Sequence, residues 1–428
     1  MKIGSIIIRY VVLGLGSWAL AASPGAGPGD TPALAAEAIN SLGLDLLAHG
    51  TEPGANAVLS PYSIQSTLAM TYAGAAGKTH AEMARVLHYR GEEAELHRSF
   101  AALQTALDGI ARRTAEWAKR ARQRGEPSEG VTLTAANRLF GQEGYPYRAP
   151  FLALAKDMYR APFQPLDFAG NWSAAREEIN RWVGVQTRGR IEEIVPADGV
   201  STNTRLVLVN AIYLKAPWAE AFPAEATMDL PFHVRGGKAR AVPTMVLQRS
   251  FGYGRRAGFT VVTVPYRTGE LQLLILLPSG TKGLAALEKQ LTARLLVSCA
   301  NPDHADLILY LPKLKIEPEL FRLGKVLQSL GMKSAFDVPS GTANFERMAP
   351  RLPDQYLCIS EVFHKTFMAL DEKGTEAAAA TAAEVVFTTG IAEPTKPITV
   401  RVDHPFFFAI QHRPSGACLF LGRVTDPR

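Results

Sequence analysis

Three cysteines in 428 residues, at 299, 358 and 418, are too few and too widely spaced for a disulfide framework or a zinc-ligand spacing. Cys358 and Cys418 lie in apolar, strand-like stretches and read as buried, unreactive thiols; one bridge among the three stays open. Neither sign of charge dominates. With 46 basic and 40 acidic residues the formal charge is +6, too mild to call for a nucleic-acid partner. The chain lacks a HExxH pair and a GxSxG elbow, and the glycines of GYGRRAG (252–258) have the wrong spacing for a dinucleotide fingerprint. No catalytic residue, metal or cofactor is therefore expected, and the chain does not read as an enzyme. Beyond the N-terminus no apolar run is long enough and free enough of charge to cross a bilayer, and no internal repeat divides the chain.

What is present begins with an export pattern. Lys2 and Arg9 lead into an apolar run from Tyr10 to Leu20, and Ala19, Ala21 and Ala22 offer a small-residue cleavage site. The run falls short of the roughly 20 residues of a membrane span, with a retained anchor as the alternative. Residues 1–22 are read as a signal peptide, and removing Lys2 and Arg9 with it leaves 44 basic against 40 acidic residues, or +4. The Gly- and Pro-rich residues 23–32 form a flexible lead, and 33–428 a single domain, secreted to an extracellular or periplasmic space. A content of 47% hydrophobic and 20% charged residues suits a globular fold with a large core.

The first half is helical in pattern: Pro32 to His49, Ser60 to Tyr72, Thr79 to Leu87, Glu92 to Arg122, and Trp172 to Thr187. Strand-like runs follow at Val131 to Phe140, Arg205 to Leu214, Thr260 to Pro265, Leu271 to Leu277, Leu307 to Leu311, and twice between Phe406 and Val424 around Pro414–Gly416. The nearly continuous apolar runs LVLVNAIYL and LQLLILL suit strands covered on both faces. Helices early and strands late make an α+β layout.

From Asp371 to Pro397 the sequence reads DEKGTEAAAATAAEVVFTTGIAEPTKP, between strand-like Cys358 to Leu370 and Ile398 to Asp403. So long a connection in a compact domain is usually functional or disordered. As a strand, it would turn Thr375, Ala377, Ala379 and Thr381 to one face, and Glu376, Ala378 and Ala380 to the other. The first set is small enough to enter a closed sheet, and the second holds the only charge. Gly374 supplies a hinge. Four alanines also favour a helix, so composition alone leaves strand and surface helix both open.

Here the chain resembles the serpin family, from about Asn40 to Pro427. The resemblance is carried by EKGTEAAAAT at the hinge, NAVLSPYSIQSTLAMTYAGAAGKTHAEM near the start, TRLVLVNAIYLKAPW with Phe222 in the middle, LYLPKLKIEPE, the Gly331–Met332 pair with Phe336, and the closing DHPFFFAIQHRPSGACLFLGRVTDP. It implies one large central sheet, two smaller sheets, eight or nine helices and an exposed reactive-centre loop at about 372–397. It further implies a monomeric suicide-substrate inhibitor of serine proteases, with cysteine proteases as a further class. Cleavage and acylation are followed by loop insertion from a kinetically trapped native state. A non-inhibitory carrier, storage protein or chaperone would share every fold motif.

By the same resemblance Glu372 opens the hinge, and Gly374, Thr375, Glu376, Ala377, Ala378, Ala379, Ala380 and Thr381 enter first. Counted along the loop as the family spaces it, the scissile bond falls between Thr388 and Thr389, suiting an elastase- or subtilisin-like pocket. A one-residue slip presents Phe387 to a chymotrypsin-like one. Ser60, Ser63, Asn210 and His364 map to the shutter, with His364 structural, and Trp218 to the breach. Val246 stands where many members carry a base for the hinge glutamate, which leaves an ion pair of Glu372 in doubt. The helix around ARRTAEWAKRARQR (111–124) carries Arg112, Arg113, Lys119, Arg120, Arg122 and Arg124 against Glu116 alone. A sulfated polyanion would bind such a cluster, and a solvated basic helix is the other reading.

Overall fold

The computed structural model describes residues 32–125, 129–234, 239–353, 355–375 and 396–428. Among them nine α-helices form: α1 (Ala33–Gly50), α2 (Pro61–Gly74), α3 (Gly77–Val86), α4 (Glu93–Gln123), α5 (Ala149–Tyr159), α6 (Phe168–Gln186), α7 (Leu284–Glu288), α8 (Ala293–Ser298) and α9 (Gly324–Ser329). The strands of the first half and middle are β1 (Ala57–Leu59), β2 (Thr132–Gln142), β3 (Phe163–Leu166), β4 (Leu206–Pro217), β5 (Met228–His233), β6 (Ala239–Arg256), β7 (Phe259–Pro265) and β8 (Leu271–Pro278). Then follow β9 (His304–Pro312), β10 (Leu314–Ile316), β11 (Phe321–Arg322), β12 (Phe363–His364), β13 (Met368–Asp371), β14 (Gly374–Thr375), β15 (Ile398–Arg401), β16 (Phe406–His412) and β17 (Ala417–Val424).

Local chemistry accounts for the main helices. Pro61 opens α2, and the Ser60 hydroxyl accepts the Ser63 N–H at 3.2 Å, closing one free donor of the first turn. Almost every residue of α2 is buried, so this helix is a central post of the core. In α4 the buried Leu96, Phe100, Leu103, Leu107, Ile110, Thr114, Ala118 and Ala121 recur at steps of three and four, leaving the charged face to water. Helix α6 starts at Phe168, earlier than its pattern suggests. Asp167 caps Gly170 at 2.8 Å, the backbone leaves helical geometry at Asn171, and Asn171 Oδ1 caps Ala174 at 3.2 Å. The sequence pattern therefore marked the second of two starts.

Six strands form the central sheet, in the order β10-β13-β14-β4-β2-β3. Strand β2 runs antiparallel to β4 along nearly its whole length, with Asn137 opposite Asn210. Strand β6 is 18 residues long and serves two groups at once: β5 and β9 with β15 along most of its length, and β7, β8, β16, β17 and β1 beyond Gly252. Strands β8, β16 and β17 are buried throughout, as the run LQLLILL predicts. A two-stranded pair, β11 with β12, completes the sheets. The stretch GYGRRAG lies in β6 and its turn into β7.

Two expectations about burial are corrected. Leu206, Val207 and Leu208 at the start of β4 are only half-buried, because β2 covers one edge of that strand and the other edge borders a cavity. The stretch Cys358 to Leu370 forms only β12 and β13 rather than one strand, and Cys358, left outside them, is exposed. Cys299 and Cys418 are buried, and all three thiols are free.

Candidate functional site

The two residues of β14 are wedged between β4 and β13 at one end of the central sheet. Gly374 pairs with Pro217 and Thr375 with Ala216 on one side; Asp371 and Leu370 pair with them on the other. A tight turn, closed by the Lys373 N–H on Asp371 Oδ1 at 2.9 Å, joins β13 to β14. At Gly374 φ is +149°, and a Cβ there would sit 2.1 Å from the Ala216 carbonyl oxygen, so only glycine fits.

Three successive carbonyls of this turn are held from the segment that follows β4. Trp218 Nε1–H donates to Asp371 O at 2.9 Å and Trp218 N–H to Lys373 O at 2.9 Å, while Phe222 N–H donates to Glu372 O at 2.8 Å. Trp218 is fully buried and stacks on Tyr266 with centroids 4.7 Å apart, and the Tyr266 hydroxyl hydrogen-bonds Thr375 Oγ1. Burial raises the Tyr266 phenol well above its ordinary pKa, so it stays a neutral partner. Thr375 thus points into the protein, as the alternation of small residues requires.

Glu372 has an ion pair after all. Lys313 Nζ donates to both its carboxylate oxygens at 3.1 and 2.9 Å, and Thr227 Oγ1 adds a bond at 2.9 Å. Burial pushes the Glu372 carboxyl up, but the bonds from Lys313 and Thr227 outweigh it and hold the pKa below the usual value. Val246 lies on β6 opposite Tyr310, and the base comes from the residue between β9 and β10 instead.

Further along the sheet, three of the four residues expected at the shutter meet. Ser60 N–H donates to His364 Nε2 at 3.0 Å, the Ser60 hydroxyl donates to Leu419 O at 2.7 Å, and Ser63 N–H donates to Ser60 Oγ. Burial pushes the His364 pKa down to about 3, so the ring is neutral. Asn210 belongs to a second network: its amide donates to Asn137 Oδ1 at 2.5 Å, and Asn137 in turn donates to Tyr159 O at 2.7 Å. Between Asn210 and His364 lies a cavity of about 470 Å³, bounded by β4, α2 and the segment leading into β12. Lys313, Thr227, Tyr266 and Asn137 have no signal in the sequence; only the folded chain brings them to Glu372, Thr375 and Asn210.

The basic residues of α4 are all exposed. Arg113 is paired to Glu270 at 2.7 Å and Arg122 donates to Ala118 O at 3.3 Å. Trp117, between them, is covered by the Arg267 guanidinium at 5.0 Å. Glu376 through Thr381, Phe387, Thr388 and Thr389 lie outside the described residues. Among the described residues no group of three or more His, Cys, Asp or Glu could hold a metal, and no helix is long and apolar enough to cross a membrane.

The two-residue strand β14 wedged into the central sheet is the setting in which comparison with known proteins places the chain in a family. The family described as Serpin (serine protease inhibitor) matches residues 37–427, and the chain belongs to it. It is 37% identical to the leukocyte elastase inhibitor of Bos taurus over 384 residues, 88% of this chain and 94% of that one. Among solved structures it is similar to a cleaved Serpin 42Da, with TM-score 0.76 and 28% identity over 92% of this chain and 99% of that one. It is also similar to human thyroxine-binding globulin in complex with thyroxine, with TM-score 0.75 and 26% identity over 92% of this chain and 99% of that one. The serpin α+β fold is thereby established, and the fold is shared with a binding protein as well as with inhibitors.

Proposed function

We propose that the chain is a suicide-substrate inhibitor of serine proteases, and the observation that carries this is the entry of Gly374 and Thr375 between β4 and β13. Continued along the same register, each further loop residue would pair with β4 on one side and the β12–β13 segment on the other. Thr381 would then lie between Asn210 and His364. Ala377 and Ala379, on the Thr375 face, would meet no steric block, and Glu376 would face water.

The reaction begins as ordinary proteolysis. The protease serine attacks the carbonyl carbon at Thr388, an ester forms, and the amine of Thr389 leaves with the C-terminal piece. The freed loop end then inserts, gaining strand pairing and burial, and carries the acylated protease with it. Inhibition is a race between insertion and hydrolysis of the ester. The elastase-inhibitor relatives support an elastase-like target, as does a small residue at 388. Incubation with elastase, subtilisin and chymotrypsin tests the reading: a covalent complex that survives denaturing electrophoresis is expected, while cleavage without complex favours a carrier. Mass spectrometry of the released fragment assigns the bond to Thr388–Thr389 or Phe387–Thr388.

Export is part of the same proposal, supported by the pattern from Lys2 to Ala22. A sulfated polyanion along Arg112, Arg113, Lys119, Arg120, Arg122 and Arg124 is a separable part of it. Salt-dependent retention on heparin, lost on replacing Arg120, Arg122 and Arg124 by alanine, supports it, and no retention at low salt removes it.

A further inference from the structure

Strand β15 brings the chain back from the loop, and it is an edge strand: among the described residues it pairs only with β9, over Ile398–Arg401. The residues that follow tie it down. Val402 N–H donates to Tyr310 O at 2.9 Å, and the Asp403 carbonyl accepts His233 N–H from β5 at 2.7 Å. The chain then passes through His404 into β16, in the interior of the same sheet. How firmly β15 is held therefore depends on how firmly His404 is held.

His404 is buried, and each ring nitrogen faces an oxygen: Nδ1 lies 2.7 Å from Asp403 Oδ1, and Nε2 lies 2.8 Å from Pro278 O at the end of β8. A carbonyl and a carboxylate only accept, so both nitrogens must donate, and a ring with two N–H groups is an imidazolium ion. A neutral ring fits neither way. With its proton on Nε2 a lone pair meets the carboxylate; with it on Nδ1 a lone pair meets the Pro278 carbonyl. The titratable groups facing the ring are Asp403 from its own segment and, beyond that carboxylate, His233 from β5, while β8 contributes the Pro278 carbonyl. Burial pulls the His404 pKa down, but the bonds to Asp403 and Pro278 outweigh it and hold the ring above its ordinary 6.5. Burial pushes the Asp403 carboxyl up, but the bond from His404 and the nearby His233 ring hold it below its ordinary 3.8.

We propose that His404 is a proton-gated latch on the return strand of the loop: its imidazolium, gripped by Asp403 Oδ1 and Pro278 O, fixes β15 to the rest of its sheet, and loss of the proton lets β15 open. The step is a deprotonation: the proton passes to water and one of the two bonds is lost. The latch stands whether or not the loop inserts, since none of its members belongs to the loop. Its contribution is fully present below about pH 6.5 and is lost as pH rises through the higher folded value. That sign is opposite to the one set by His364, which burial keeps neutral, so a local measurement at β15 separates the two.

The test uses the full, uncut chain with nitrogen-15 in its histidine rings, followed by NMR, together with amide hydrogen exchange corrected for the intrinsic effect of pH. Between about pH 6 and about pH 9 the His404 ring should pass from two N–H groups to one, and protection of the Val402 amide should fall about tenfold, the worth of one hydrogen bond. The Met332 amide, held by Leu327 O at 3.0 Å far from this segment, should show no such fall. His404→Gln should protect Val402 weakly at every pH. Asp403→Asn is the second variant, and it leaves His404 in place. Its amide can donate to Nδ1 while Nε2–H keeps Pro278 O, so a neutral ring should hold the latch closed and Val402 should stay protected across the range. His233→Gln should keep the fall of the parent protein. A neutral His404 ring at the acid end of the range overturns the proposal. So does an unchanged fall in Asp403→Asn, or its loss in His233→Gln.

Discussion

Lys313 donates two hydrogen bonds to the carboxylate of Glu372, at 3.1 and 2.9 Å, and so ties the first residue of the hinge to the residue that joins β9 to β10. The pair closes the end of the sheet where β14 enters. It fastens the turn between β13 and β14 from outside, while Trp218 and Phe222 hold its carbonyls from within.

Lys313→Met should therefore loosen the hinge at small cost to the fold. Lys313 is 38% exposed, so water screens the pair, and the loss is expected at about 0.5 kcal/mol at neutral pH. The folded Glu372 carboxyl titrates below its ordinary 4.5. Its contribution is then present above about pH 4.5 and is lost as pH falls through the lower folded value. Melting curves of the two proteins should differ at pH 7 and converge under strong acid. A constant difference at every pH would show that the pair is not its source.

Gly374→Val should expel β14 from its slot, since even a Cβ would overlap the Ala216 carbonyl at 2.1 Å. Among the described residues β14 alone joins β13 to β4, so the variant's fold is checked by circular dichroism before the assay. With its first step blocked, insertion should lose the race. Gel analysis with an inhibited protease should show cleaved serpin in place of the covalent complex, by tenfold or more. An undiminished complex would mean that insertion does not begin at Gly374.

His364 makes stability depend on acid. Burial pushes its pKa down to about 3 from an ordinary 6.5, so between those values the unfolded chain binds a proton that the folded one refuses. Stability is full above about pH 6.5 and declines below it, by up to about 1.4 kcal/mol per pH unit. His412, pushed down to about 4 by burial, acts in the same direction. The melting temperature should fall between pH 7.5 and 5, and His364→Gln should show a clearly smaller fall. An identical fall in the variant would remove His364 from the account.

Cys358 should react with a thiol reagent in the folded protein, whereas Cys299 and Cys418 should not. The first is exposed and the other two are buried, with burial pushing the Cys418 thiol up to about 12. One thiol should be titrated before denaturation and three after it. Two or more before denaturation would contradict the packing of β17 or of α8.

Much of this architecture was legible in the residues, for identifiable reasons. Ser60 and Pro61 announce α2 because cap chemistry is local, and LQLLILL announces a covered strand because burial on both faces leaves no polar positions. Of the expected hinge only Gly374 and Thr375 are described, and the alanine run lies outside the described residues. What was hidden depends on residues far apart in the chain. Lys313 reaches Glu372 across 59 positions and Asn137 meets Asn210 across 73, and neither residue type marks such a contact. Cys358 misled because its apolar neighbours resemble a strand, although the chain pairs only at Phe363–His364 and Met368–Asp371.

The central claim is that the loop beginning at Gly374 gains free energy by completing the sheet it has already entered. The direct measurement is the melting temperature of the intact protein against the same protein cut once within the loop, with both pieces retained. The cut form should melt at a markedly higher temperature. Equal melting of the two forms would contradict insertion and leave only the shared fold.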